Sequence, residues 1–531
     1  MRRSPTTSGT CSRRCCAAGA ELGAVAKRAR IPGWALALGL LHAPPTAADP
    51  FEVHAIPGEG RSVAAEVVDA DGAGSRELLR IVFRGYPPDE RRLFEIYGLD
   101  AEGQPDPEPR FARELPEGAA AYDLADVATS PGEELLLLMP RGVQVLSLAA
   151  SNTATTTLAV PGGRTLAVAP DERGLDRIRL VWPGLGTKGE LRLLVPMLGE
   201  TALLSAGGTP IAAIETGARA NYLIPPRPGP AFVESDAQLY LDAPRLEAGD
   251  LDGDGRTDLL AAGRHELRIF LQRADGGFGP APDQRLLLRK ITPEDHLRGS
   301  GGLRTLAADL DGDGRMDLVL SHARGGLSNT SFTSSLFRNR GAPEFWALDA
   351  PDRVIATESG WGSDELIDLD GDGRPELLRV ELPFSVLELI EVLVTRALDA
   401  RVSVYRAGGE GLVSETPWLE RQFGVPISLE NGRPLGFVSN AQADLDGDGR
   451  RDLLASEGGE GLRLACFGPG GDAAPFSGPV LHQALPSGGR IRYGDLDADG
   501  RTDALLYDPR QPDAPLRVLL NRVGPSGCAG D

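Results

Sequence analysis

Short apolar runs alternate along the chain with stretches rich in Gly, Asp, Pro and Arg. "LLAAG", "LVLSH", "LLRVE", "LLASE" and "ALLYD" each follow an acidic turn, and most lead through a second turn into an alternating run such as "ELRIFLQ" at 266–272. Runs of this length bounded by turn residues predict strands, so the repeating unit reads as loop, strand, turn, strand. One stretch departs from that pattern. In "PFSVLELIEVLVTRALDARVSVY" (383–405), Leu387, Ile390, Val394 and Leu398 recur at helical spacing, predicting an inserted helix over about 383–399. The proline-rich "LIPPRPGPAF" (223–232) predicts an extended connection.

The acidic turn itself repeats. "DLDGDGRTD" at 250–258 returns at 309–317, 368–376, 444–452 and 495–503, with steps of 59, 59, 76 and 51 residues. Worn copies lie upstream. "DADGAGSREL" from 69 keeps Asp69, Asp71, Gly74 and Glu77, "DVATSPGEELLLL" from 126 keeps Gly132 and Glu134, and "APDERGLDRIRLV" at 169–181 is fainter. If all are accepted, eight units of about 61 residues fill 49–531, leaving no room for a separate catalytic domain. The uneven steps beside 169 keep seven units open. A period of this size suits propeller blades, and the fold class predicted is an all-β propeller of seven or eight blades. Metal-poor blades would occupy about 49–240 and metal-loop blades about 241–531.

Each full copy places acids at positions 1, 3, 5 and 9 and glycine at 6. The acids are Asp250, Asp252, Asp254 and Asp258; Asp309, Asp311, Asp313 and Asp317; Asp368, Asp370, Asp372 and Glu376; Asp444, Asp446, Asp448 and Asp452; Asp495, Asp497, Asp499 and Asp503. Carboxylates this close repel one another unless a cation lies between them. Ca2+ takes six to eight oxygens, and the 1, 3, 5 spacing wraps a short turn around one ion, with a backbone carbonyl from position 7 (Arg256, Arg315, Arg374, Arg450 and Arg501). About five calcium sites are expected. Magnesium prefers a smaller octahedron, and zinc would want the His or Cys that no loop contains. A merely solvated Asp/Gly turn would not need the fixed spacing. An EF-hand would need Glu at position 12, where Ala261, Leu320, Arg379, Ala455 and Leu506 stand.

The form D-x-D-x-D-G-x-x-[DE]-L, preceded by a small-residue strand and followed by a hairpin ending near "ADGGFG" (274–279), resembles the FG-GAP/VCBS repeats of bacterial exported proteins and the integrin alpha-subunit head. The resemblance covers 245–531 clearly and implies a calcium-binding propeller whose ions stiffen hairpins on one face. It implies little about activity, because propellers of that family include adhesive, lectin-like, enzyme-attached and scaffold forms.

Composition narrows the function. A net charge of −21 over 531 residues disfavours nucleic acid as a partner. Residues 1–48 read as a signal segment, with Lys27, Arg28 and Arg30 ahead of "GWALALGLL" and small residues Thr46 and Ala48 before a cut. Its loss would take the charge to about −27, and no later stretch is apolar enough for a transmembrane span. Cys466 and Cys528 would remain, able to pair in an oxidising compartment. No common catalytic motif is present, and His54, His265, His296, His322 and His482 are scattered. Trp346, Trp361 and Trp418 are candidates either for stacking on sugars or for packing between blades. The expectation is an exported, periplasmic or cell-surface module that binds protein or glycan and is not an enzyme. A polysaccharide lyase or hydrolase on a propeller scaffold, and a scaffold subunit of an envelope complex, are the alternatives.

Overall fold

The strand Asp258–Ala262 is buried along its whole length, which is why its sequence is continuously apolar rather than alternating. Leu259 and Ala261 pack with Trp182 and Leu203 of the preceding sheet, while Leu260 and Ala262 pack with Leu318 and Phe337 of the next. The same division of odd and even residues between two neighbours recurs around the molecule. Eight separate hydrophobic clusters result, each shared by two consecutive sheets, and the last joins Leu505 and Leu516 to Ala65 and Leu78, closing the circle. A ring of eight interfaces is a ring of eight blades, which decides between the seven and eight open from the sequence.

The computed structural model describes residues 49–523 apart from 150–154, 168–173, 187–189, 224–237, 299–300, 326–329, 358–359, 384–394, 410, 427–440, 458–459, 469–474, 477, 479 and 487–488. By its internal contacts the chain divides into Met1–Ala48 and Asp49–Asp531, and everything described belongs to the second. Blades 1 to 6 span residues 61–114, 121–159, 181–214, 245–287, 302–357 and 360–426. Blade 7 shows three described strands over 453–484. Blade 8 combines 490–521 with Phe51–Ile56, so the first strand of this unit forms the outer edge of the last blade. First strands of neighbouring blades touch one another, as Arg61–Val68 does with Arg490–Gly494, so the first strands surround the axis. The acidic loops join first to second strands and therefore share one face.

Two expectations need correction. The third worn loop is not at 169–181: the first hairpin turn of blade 3 falls at 183–191, between Val181–Trp182 and Arg192–Pro196. Asp176–Arg177 instead pairs with Ala121–Tyr122 of blade 2, because Asp123 captures the following backbone amides. The helix expected over 383–399 falls mostly outside the described residues, but Ala397–Tyr405 is a strand, bonded along its length to Leu419–Pro426. Its alternating Ala400, Val402 and Val404 outweigh the helical spacing of Leu398. The expected connection at 223–232 also lies largely outside the described residues. The helix that is described, Pro293–Arg298, begins at Thr292, whose Oγ1 accepts from the Asp295 amide at 3.1 Å while Asp295 Oδ2 accepts from the Thr292 hydroxyl at 2.6 Å. Trp346 is buried, Trp418 is half-buried and edge-on to Phe467, and Trp361 is exposed.

Candidate functional site

Each acidic loop is folded by its own carboxylates. Asp250 accepts from the Gly253 and Gly255 amides at 2.6 and 2.8 Å, and Asp309, Asp368 and Asp444 repeat both bonds. Position 4 must adopt a positive φ for the turn to close, +88° at Gly253 and +75° at Gly371, and in the fifth loop Ala498 is held at +56°.

Position 9 has a separate task. Asp258 accepts from the Leu251 amide at 2.9 Å and from the Gln272 amide at 2.8 Å, tying the loop to the end of the third strand. Asp317, Asp452 and Asp503 do the same with Asn339, Phe467 and Asn521. All are buried, and without a cation burial raises Asp258 and Asp503 to about 6 and Asp317, Glu376 and Asp452 to about 7. Glu134 keeps the bond within the loop in blade 2, accepting from the Val127 and Ala128 amides, although the acids at positions 3 and 5 are gone. The position-9 acid is therefore a staple of the hairpin as well as a candidate ligand.

The structure brings Asp309, Asp311 and Asp317 together with one oxygen of each within 4.8 Å of the others, and likewise Asp368, Asp370 and Glu376; Asp444, Asp446 and Asp452; Asp250, Asp252 and Asp254; and, in the worn first loop, Asp69, Asp71 and Glu77. These groups can hold a metal ion. Asp497 Oδ1 in the fifth full loop is buried and accepts no hydrogen bond, an oxygen for which a cation is the natural partner. Position 5 also meets an arginine: Asp254, Asp313, Asp372, Asp448 and Asp499 each pair with the arginine two residues on, and of these Asp254 is the one that joins a metal-capable group named above. Sequence reasoning also missed an outer layer of arginines on position 3, with Arg338 on Asp311 at 3.1 Å, Arg406 on Asp370 at 3.0 Å and Arg522 on Asp497 at 2.8 Å. Their only signal was an arginine near the end of each third strand.

A model of the FG-GAP-like repeat matches residues 250–320 and 309–378. The chain carries FG-GAP-like repeats. Among solved structures it is similar to the V. cholerae biofilm matrix protein Bap1, at 12% identity over 89% of each chain with a TM-score of 0.39. The comparison with curated proteins returns no match. Neighbouring acidic loops are hydrogen-bonded to one another, the Thr502 amide donating to the Asp444 carbonyl at 3.0 Å and the Arg451 amide to that of Leu369 at 2.9 Å.

A second feature lies on the axis. A cavity of about 1300 Å3 outside the FG-GAP match is lined by first-strand residues, among them Glu66, Asp123 and Arg492, and by residues of the connections between strands, among them Asp126, Glu133 and Arg179. Glu66 accepts from the Tyr122 hydroxyl at 2.7 Å and from Arg177 at 3.2 Å. Asp123 accepts from Arg177 at 3.2 Å and from the Leu180 and Val181 amides at 2.8 and 3.0 Å. Among the described residues no helix is long and apolar enough to cross a membrane.

Proposed function

We propose that this protein is an exported, calcium-binding propeller that serves as a protein- or glycan-binding module, with calcium in a structural role. The observation that carries the reading is the double use of the loop acids: the carboxylates that would hold the ion also tie strand to strand and sit on loops bonded to the next blade. Oxygen-only donors on a short turn suit a hard cation of calcium's size, held by positions 1, 3 and 9 with the carbonyl at 7. A bound ion would relieve the repulsion among those acids and stiffen the ring. Export is supported by the basic-then-apolar leading segment and by Cys466, which is disulfide-bonded to a partner outside the described residues.

The second reading, a polysaccharide-acting enzyme, is favoured by Glu66 and Asp123, two carboxylates on the axis outside the metal loops. Both are engaged by arginine and by fixed donors, which suits holding a ligand better than shuttling a proton. Two measurements test the proposal. Calorimetry with and without EDTA should show a lower melting temperature after chelation, and an unchanged one would remove structural calcium. Arrays of glycans and surface proteins should show retention without turnover, and release of shortened products would move the reading to the enzyme.

A further inference from the structure

Segment 174–180, between blades 2 and 3, is built into the axial cavity rather than around it. Asp176–Arg177 pairs in parallel with Ala121–Tyr122, the one parallel pairing among the described residues, and so adds a fifth strand on the axial side of blade 2. It is pinned at three points. Leu175 is buried in the cluster between blades 1 and 2, the Ile178 amide donates to the Tyr122 carbonyl at 2.8 Å, and Asp176 pairs with Arg490 of blade 8 at 3.1 Å. A passive connection between blades needs none of this.

The added strand carries arginines to the cavity. Arg177 reaches both Glu66 and Asp123, and Arg492 approaches Glu66 from blade 8 at 3.5 Å. Arg179 is exposed and pairs with no carboxylate among the described residues; its guanidinium lies over the Trp182 ring, 4.0 Å from the ring centre. In a chain of net charge −21, four guanidinium groups meet four carboxylates around one cavity.

We propose that this cavity binds a neutral, hydroxyl-rich saccharide segment, with Arg179 and Arg490 as contact residues and the added strand as the wall that shapes the site. The proposal rests on the binding-module reading and names its ligand. Balanced charge gives neither a polyanion nor a polycation a net attraction. Interleaved donors and acceptors suit hydroxyl groups, each of which donates and accepts at once. The cavity exceeds the 300–1,000 Å3 typical of small-molecule pockets, as an oligosaccharide requires.

The test uses the full exported chain on an array of neutral hexose hexasaccharides, uronate hexasaccharides and acidic hexapeptides, with affinities by calorimetry. The expected result is retention of at least one neutral hexasaccharide, weakened about tenfold or more in Arg179→Ala with an unchanged melting temperature, as losing a charged donor to a ligand implies. Arg490→Ala should weaken it as well, while Tyr86→Ala, on an exposed hairpin away from the axis, should not. Binding of uronates or acidic peptides alone overturns the ligand class. Loss of binding in Tyr86→Ala but not Arg179→Ala overturns the location while leaving the binding-module reading intact. Retention of surface proteins with no saccharide bound overturns this inference alone, and no retention of any kind overturns both.

Discussion

The backbone N–H of Met316 donates to the carbonyl of Asp250 at 2.9 Å, so position 8 of one acidic loop holds position 1 of the loop in the preceding blade. Ordering either loop around an ion therefore helps to order the other. Asp309→Asn should remove one metal site and also weaken the site at Asp250, with a coupling of about 1 kcal/mol in a double-mutant cycle with Asp250→Asn. Calorimetric titration with calcium checks this, and purely additive effects would contradict the linkage.

Position 4 offers a paired test of backbone geometry. Ala498 occupies a left-handed conformation, φ +56°, that the other full loops give to glycine. Ala498→Gly should stabilise the protein by about 1 kcal/mol. Gly371→Ala should do the opposite by about 2 kcal/mol or more, since a Cβ there would lie 2.7 Å from the Gly449 carbonyl oxygen as well as adopting φ +75°. Chemical denaturation of both variants in calcium reads the two signs directly.

Arg379, almost wholly buried, donates to Glu381 at 2.6 Å and to the Ser334 hydroxyl at 2.5 Å, and lies 3.8 Å from buried Asp364. Arg379→Met would strand those carboxylates and should cost about 3–5 kcal/mol. Adding Asp364→Asn should recover part of the loss, because one uncompensated charge is then gone. Urea melts of the single and double variants give the comparison.

The position-9 acids set a pH dependence of definite sign. Burial lifts them from the ordinary carboxylate range to about 6 or 7 in the folded, metal-free state, so between about pH 4 and pH 7 the folded chain holds more protons than the unfolded one. Stability then rises as pH falls through that window. In EDTA the melting temperature should be higher at pH 5.5 than at pH 7.5. In calcium the gain conferred by the ion should shrink over the same interval, because protons compete for the same oxygens. Melting curves at the two pH values, with and without calcium, decide it.

Much of this architecture was readable in one dimension. The spacing of Asp250, Asp252, Asp254, Gly255 and Asp258 is a local property of nine residues, and its recurrence placed five of the eight blades. The continuous apolar runs after each loop announced strands buried on both faces. The division of those runs between neighbours, Leu259 inward to one blade and Leu260 to the next, depends on the period of two along a strand and is likewise written locally.

What the sequence by itself determined is therefore the unit: acidic turn, buried strand, hairpin. Tertiary structure decided how many units close a ring, which acids gather into one cluster and which arginines reach them, and what lines the cavity. The segment at 169–181 shows why. Its acids and apolar residues resemble a worn loop, yet the Leu180 and Val181 amides donate to Asp123, more than fifty residues away, and that long-range bond makes residues 177–181 a wall of the cavity. Local pattern carries no information about a partner that only the closed ring brings within hydrogen-bonding distance.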